Sequence, residues 1–262
     1  MIQETLILPS LGFPYNGKLN GTSVVVRPLT TRAYKDFLVS ASEEGIINLI
    51  DSCLVDCPLK ADEFVYQDEL AIYIKIRSIS LGDIIPLNTT CPKCNSPLTV
   101  NWELMGMKCN YLYTEKYPYE IELPETKQKI TLSIPTTRSQ HMAEDAAKKR
   151  ATQYNKNIKE YLPVFNTVVN IHVPDVKDIT ERADWYNSLP LKDAIYIDQI
   201  YGKIQNFGLE VNKDVKCSCG HEFTVPMSIT TDFFRPSMGD FNGFTTAQGT
   251  LEKGPESSAI SK

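Results

Sequence analysis

Four of the seven cysteines fall into two tight pairs, Cys91-Pro-Lys-Cys94 and Cys217-Ser-Cys219. Each pair is followed by closely similar text, Cys94-Asn-Ser-Pro-Leu-Thr-Val100 against Cys219-Gly-His-Glu-Phe-Thr-Val225. Turns of this kind aim two thiolates at one point while backbone N–H groups face the sulfurs. Asn95 and Gly220 are residue types that tolerate the left-handed backbone such turns use. The alternating residues that follow, Leu98 and Val100 or Phe223 and Val225, suit the return strand of a hairpin. Two knuckles supply four sulfurs, a closed tetrahedral site of structural type. Cys91, Cys94, Cys217 and Cys219 are therefore the expected ligands of a structural Zn2+, with His221 the one alternative ligand in reach. A redox role is disfavoured, because Cys91 follows a Thr-rich, strand-like stretch and opens no helix that would depress a thiol pKa.

The repeated knuckle prompts a search for a longer repeat. Aligning Cys91 on Cys217 also places Gly82 on Gly208. Upstream, the segments 67–81 and 191–205 both contain Ala-Ile-Tyr-Ile, and Pro28-Leu-Thr-Thr31-Arg32 matches Pro135-Thr-Thr-Arg138 after a short β-branched strand. The expected architecture is α+β and mainly helical. It consists of two tandem pseudo-symmetric repeats, each a strand, three helices and a cysteine-knuckle hairpin, joined by a shared zinc site. The first repeat spans 1–108, the second 118–230, and an aromatic then polar tail spans 231–262. Either half alone would lack half of the ligands, so the metal is expected to staple the two into one unit.

Within the first repeat, Thr30 or Thr31 can cap a helix running through Leu38. A second helix carries Ile46, Leu49, Ile50, Cys53, Leu54 and Cys57 at 3.6-residue spacing and stops before Pro58. Cys53 and Cys57 then fill core, as does the unpartnered Cys109. Residues 70–76 alternate as a strand would, but the matching segment has Ile197, Ile200, Tyr201 and Ile204 at helical spacing, so both are expected to be helices buried on most sides. In the second repeat, helices are expected from about Ser139 to Tyr154 and from about Pro163, the latter ending near His172.

Charge excludes some function classes. Lys+Arg 27 against Asp+Glu 32 leaves −5 at pH 7, a field that repels phosphate backbones, so nucleic acid is not an expected partner. The run Lys148-Lys149-Arg150 follows Glu144-Asp145 and reads as a solvated helix face. No apolar run approaches the roughly 18 residues of a membrane span, and no signal peptide is expected at the start. The sequons at Asn20 and Asn88 are then idle. Phosphate-loop, HExxH, GxSxG and GxGxxG motifs are missing, and neither His141 nor His172 has a visible nucleophile or carboxylate partner, so no enzyme activity and no small-molecule substrate are expected. The tail carries Phe233, Phe234, Phe241 and Phe244, too many aromatics for a purely solvated segment; folding back on the body and anchoring a partner both fit.

Leu8-Pro9-Ser10-Leu11-Gly12-Phe13-Pro14-Tyr15, then Val26-Arg27-Pro28-Leu29-Thr30-Thr31, then the paired knuckles, resemble the baseplate hub subunit family of T4-like contractile-tailed phages over residues 5–235. The resemblance implies a structural or hub assembly protein that works through contacts with other baseplate and hub proteins. It would be found in the host cytoplasm during assembly and in the virion tail baseplate. Leu8, Phe13 and Tyr15, with Phe233, Phe234, Phe241 and Phe244, are the expected partner-contacting residues. Two departures stand out: Arg32-Ala33-Tyr34-Lys35 replaces the usual acidic residues after R-P-x-T-T, and the second knuckle is CxC. The rival class is a zinc-ribbon nucleic-acid binder, which would cluster basic and aromatic residues on the knuckles. Here Lys93 and Lys216 stand against Glu103, Asp214 and Glu222.

Overall fold

Caps written into the sequence start four of the helices. The computed structural model describes residues 2–19, 21–40, 42–114, 117–227 and 231–234. A hairpin of β1 (Glu4–Ile7) and β2 (Ser23–Val26) comes first, followed by α1 (Thr31–Val39) and α2 (Glu43–Cys53). Thr30 Oγ1 accepts from the Ala33 amide at 3.2 Å and Ser42 Oγ from the Gly45 amide at 3.2 Å, each satisfying an N-terminal donor that its helix cannot. A Cβ on Gly45 would lie 1.9 Å from the Ser40 carbonyl oxygen, so the tight α1–α2 corner needs glycine there.

The second helix ends earlier than its periodicity suggests. Leu54–Val55 forms β3, whose residues pair with Val26 and Val25 to give the sheet order β1-β2-β3. The Arg27 amide takes the Cys53 carbonyl at 2.9 Å, and the Arg27 guanidinium takes the Ser52 carbonyl at 2.8 and 3.0 Å. Long-range partners thus claim the carbonyls that would have continued the helix. Cys57 lies beyond it, half-buried, while Cys53 is in the core.

Next comes α3 (Tyr66–Leu81), helical despite its strand-like alternation. Every residue from Ala71 to Arg77 is buried, which is how alternating isoleucines can be satisfied on a helix: it passes through the middle of the molecule. Lys75 and Arg77 are buried with it. Lys75 Nζ pairs with Glu4 Oε2, and Arg77 Nε donates to the Phe233 carbonyl at 2.9 Å. The strands β4 (Ile84–Thr90) and β5 (Pro97–Glu103) then form a hairpin, and β6 (Cys109–Asn110) follows.

The second half repeats much of this order. A hairpin of β7 (Tyr119–Glu122) and β8 (Lys129–Leu132) precedes α4 (Thr137–Tyr154) and α5 (Leu162–Val168). The strand β9 (Ile171–His172) then joins β8. His172 therefore lies in a strand and not at a helix end. Thr136 caps α4, exchanging hydrogen bonds with Ser139. The helix α6 (Ile179–Ser188), capped by Asp178 Oδ1, has no counterpart in the first half. It is followed by α7 (Leu191–Ile204), β10 (Gly208–Leu209), and the hairpin of β11 (Asn212–Lys216) and β12 (Glu222–Pro226). The architecture is mixed α and β, with seven α-helices and small sheets among the described residues, and each half opens on a hairpin, not on a single strand.

One core serves both halves. The same buried cluster contains Leu8, Val26 and Ile72 from the first and Leu123, Leu132 and Ile197 from the second. A carboxylate in the third position of a helix ties down the opening hairpin on each side. Asp68 of α3 accepts from the Ser10 amide at 2.8 Å and from Tyr15 Oη at 2.6 Å, and it also bonds Ser10 Oγ. Asp193 of α7 accepts from the Glu125 and Thr126 amides at 2.7 and 3.0 Å and from Thr126 Oγ1 at 2.8 Å. Both carboxylates are fully buried. Polar contacts also cross between the halves: Thr137 Oγ1 bonds Glu69 Oε2, Arg138 bridges Asp62 and Glu63 at 2.8 and 2.9 Å, and His141 meets Glu43 at 3.1 Å.

Candidate metal centre

The four paired cysteines sit at the tips of two hairpins, one from each half. In the first, the Cys91 amide donates to the Ser96 carbonyl at 3.0 Å and the Asn95 amide to the Cys91 carbonyl at 2.9 Å, closing a tight turn with Asn95 at φ 58°. In the second, the Cys217 amide donates to the His221 carbonyl at 2.8 Å and the Gly220 amide to the Cys217 carbonyl at 2.9 Å, with Gly220 at φ 83°. Both turns are left-handed where Asn and Gly permit it.

These turns bring the sulfurs of Cys91, Cys94, Cys217 and Cys219 within 4.8 Å of one another. Cys91 Sγ lies 3.8 Å from Cys219 Sγ, and Cys94 Sγ lies 3.6 Å from Cys217 Sγ, both contacts running between the halves. A tetrahedron with metal–sulfur bonds of about 2.3 Å has sulfur–sulfur edges of roughly 3.8 Å, so the spacing fits a tetrathiolate site. The His221 ring is instead stacked on Phe223, centroids 6.0 Å apart and 14° from parallel.

The thiols are electrostatically unequal. The Ser96 hydroxyl, at 3.3 Å, and backbone draw Cys94 down to about 6, and the Cys219 amide lowers Cys217. For Cys219 the His221 amide pulls the same way, but desolvation and the neighbouring sulfurs outweigh it and push the thiol up to about 12. Four sulfurs this close cannot all carry negative charge without a cation among them. A metal ion in the centre would remove that conflict.

Behind the tips the hairpins share a small core of their own. Val100 and Trp102 of β5 pack with Val225 of β12, flanked by Leu87, Val215 and Phe223. Lys213 Nζ reaches across to the Asn101 carbonyl at 2.7 Å and lies over the Trp102 ring at 5.9 Å. Lys216 is paired with Glu222 at 2.9 Å. Lys213 and Lys216 are thus both paired within the module.

The aromatic and apolar residues expected to meet partners are placed differently. Leu8 and Phe234 are fully buried, Tyr15 is 4% exposed and Phe233 5%. Phe233 stacks on Tyr73 and Phe234 packs edge-on against Phe37 and Tyr73, so these two rings fold back on the body. Tyr15 is turned inward by its bond to Asp68. Of this set only Phe13, 40% exposed, is at the surface among the described residues, and Phe241 and Phe244 lie outside them. Asp68 and Asp193 went unrecognised in the sequence, although each sits in the first turn of a helix expected to be buried, where an acid is an anomaly to be explained.

No described helix is long and apolar enough to cross a membrane. No curated protein and no solved structure matches the chain. The family model described as T4 bacteriophage base plate protein matches residues 12–235, which takes in both buried carboxylates and both knuckles. The chain belongs to the T4 bacteriophage base plate protein family.

Proposed function

We propose that this baseplate protein is a hub subunit, built by duplication of one unit and closed by a structural Zn2+ held by Cys91, Cys94, Cys217 and Cys219. The convergence of two sulfurs from each half within 4.8 Å is the observation that carries this reading. Duplication is supported by landmarks in the same order: a hairpin, a Thr-capped helix (Thr30, Thr136), a buried carboxylate in the last helix (Asp68, Asp193), a positive-φ glycine (Gly82, Gly208) and a knuckle. The repeats are 1–108 and 118–230, with 231–262 appended. The site has no open position, so the metal holds structure and performs no chemistry. The protein acts through contacts with other baseplate and hub proteins, assembling in the host cytoplasm before it takes its place in the tail.

Two measurements test this. Elemental analysis of the untagged full chain should give one zinc per molecule, and cobalt substitution should give the intense thiolate charge-transfer bands of a tetrahedral sulfur site. A chain that folds fully while carrying neither metal would overturn the staple. Electron microscopy of baseplates assembled with a labelled chain should place the label on the central axis, and a peripheral label would overturn the hub assignment.

A further inference from the structure

The helix α1 has a single buried side chain. Of Thr31–Val39 only Phe37 lies in the core, while its neighbours Leu38 and Val39 are exposed. Nine residues make a helix too short to persist in water on propensity alone, so packing has to hold it. Support from α2 is incomplete: a cavity of about 260 Å³ opens between the two helices, with Ala33, Asp36 and Phe37 on one wall and Gly45, Asn48 and Leu49 on the other.

Further support comes from the far end of the chain. Phe234, fully buried, meets the Phe37 ring edge-on, with centroids 5.8 Å apart and planes at 70°. It also packs edge-on against Tyr73 of α3 at 4.8 Å, and Phe233 lies flat on the same tyrosine ring at 5.1 Å. One turn further along α3, Arg77 Nε donates to the Phe233 carbonyl at 2.9 Å. The two phenylalanines are thus a wedge that grips α3 and presents one ring to α1. The wedge is delivered over a short connection. The Met227 amide is fixed to the Val211 carbonyl at 2.7 Å just past β12, and three residues, 228–230, separate it from the segment 231–234. So short a link holds the wedge at high effective concentration beside its site.

The docked state carries a penalty as well as a gain. Tyr73 Oη is buried with no hydrogen-bond partner among the described residues. Phe233 and Phe234 cover that tyrosine without giving its hydroxyl an acceptor, whereas undocking returns it to water. Apolar burial set against an unpaired polar group is the balance of a contact that can open while the rest of the core stays closed.

We infer that Phe233 and Phe234 form a latch that decides whether α1 is folded. With the latch docked, Phe37 is packed and the helix is held. With it undocked, Phe37 loses its aromatic partner and α1 unravels between two ends that are fixed independently, the Leu29 amide on Ser80 Oγ at 2.9 Å before it and the Ser42 cap of α2 after it. The exposed surface built from Arg32, Lys35, Leu38 and Val39 then exists only in a latched copy. No ligand of the metal centre belongs to the latch, and neither the zinc nor the hub assignment is needed for it.

Amide hydrogen exchange on the full chain tests this. In the unsubstituted protein, the amides of residues 34–40 should exchange through a sub-global opening, at least about tenfold faster than those of residues 71–77. Tyr73→Phe removes the unpaired hydroxyl and should slow exchange in α1 by about fivefold or more, with α7 unchanged. Phe234→Ala should speed exchange in α1 by at least about tenfold, again with α7 unchanged. Exchange of α1 only through global unfolding of the unsubstituted chain would overturn the inference. So would a Tyr73→Phe chain in which α1 exchanges as fast as before or faster, or a folded Phe234→Ala chain in which α1 stays protected or α7 loses protection equally. If Phe234→Ala does not fold, the unsubstituted and Tyr73→Phe chains still decide.

Discussion

Tyr15 Oη donates to Asp68 Oδ2 at 2.6 Å and accepts from the Val65 amide at 3.2 Å, so one hydroxyl joins the N-terminal loop to the start of the central helix. Ser10 holds the same carboxylate from the other side. The Leu-Pro-Ser-x-Gly-x-x-Tyr pattern is thereby explained as a latch on Asp68, with Leu8 buried beneath it and Gly12 at φ 78° giving the turn.

Removing that hydroxyl leaves a buried carboxylate short of one donor. Tyr15→Phe should cost about 1.5–3 kcal/mol of unfolding free energy, as expected for a hydrogen bond to a charged group. Chemical denaturation monitors it directly. A loss within error of zero would mean that Asp68 is neutral and satisfied by Ser10 alone.

Burial pushes Asp68 from the usual 3.8 to about 6 and Glu69 from 4.5 to about 7, against the pull of their hydrogen-bond donors. Both groups bind protons more tightly when folded, so their contribution is most favourable below pH 4 and declines as pH rises from about 4 to 7. The melting temperature of Asp68→Asn/Glu69→Gln should therefore change less between pH 5 and 7.5 than that of the native chain. Parallel curves would contradict the assignment.

Asp193 behaves oppositely. Although burial raises it, the Glu125 and Thr126 amides hold its carboxylate below the usual range. The stability it contributes is present above about pH 3.8 and is lost as pH falls through its depressed value. Acid should accordingly loosen the β7–β8 turn before the β1–β2 turn, visible as earlier loss of amide protection at residues 119–132 in hydrogen exchange.

Cys217→Ser should abolish metal binding and expose the amides of residues 84–103 and 212–227 while the central core stays protected, because Val100, Trp102 and Val225 form a cluster apart from it. A loss of 2 kcal/mol would lower the melting temperature by about 4–8 °C in a chain of this size. Unchanged exchange in both hairpins would show that their packing holds without the ion.

The knuckles were legible because their residues act locally: spacing, turn-forming Asn95 and Gly220, and alternation afterwards are all set within ten residues. Features set by distant partners were not. The end of α2 is decided by Arg27, and the burial of Tyr15 by a carboxylate 53 positions away. Aromatic residues read the same in sequence whether they dock on a partner or, like Phe233 and Phe234, on Tyr73. The helix α6 was missed despite its Asp178 cap and Glu181. The Ala-Ile-Tyr-Ile strings fall on α3 and α7 in different registers: Ala71 follows Asp68 by three residues, whereas Ala194 follows Asp193 by one.

The two hairpins that pack together lie on opposite sides of the chain's midpoint, with Cys94 and Cys217 separated by 123 positions. During translation the first hairpin emerges with the inner face of Val100 and Trp102 bare, and it stays bare until Val225 has left the ribosome. A truncated product therefore displays an apolar strand face and two unmatched thiols, marks by which quality control can tell it from a finished copy. Synthesis through residue 225 is thereby registered in the molecule's own surface, before any neighbour in the tail has to accept or refuse it.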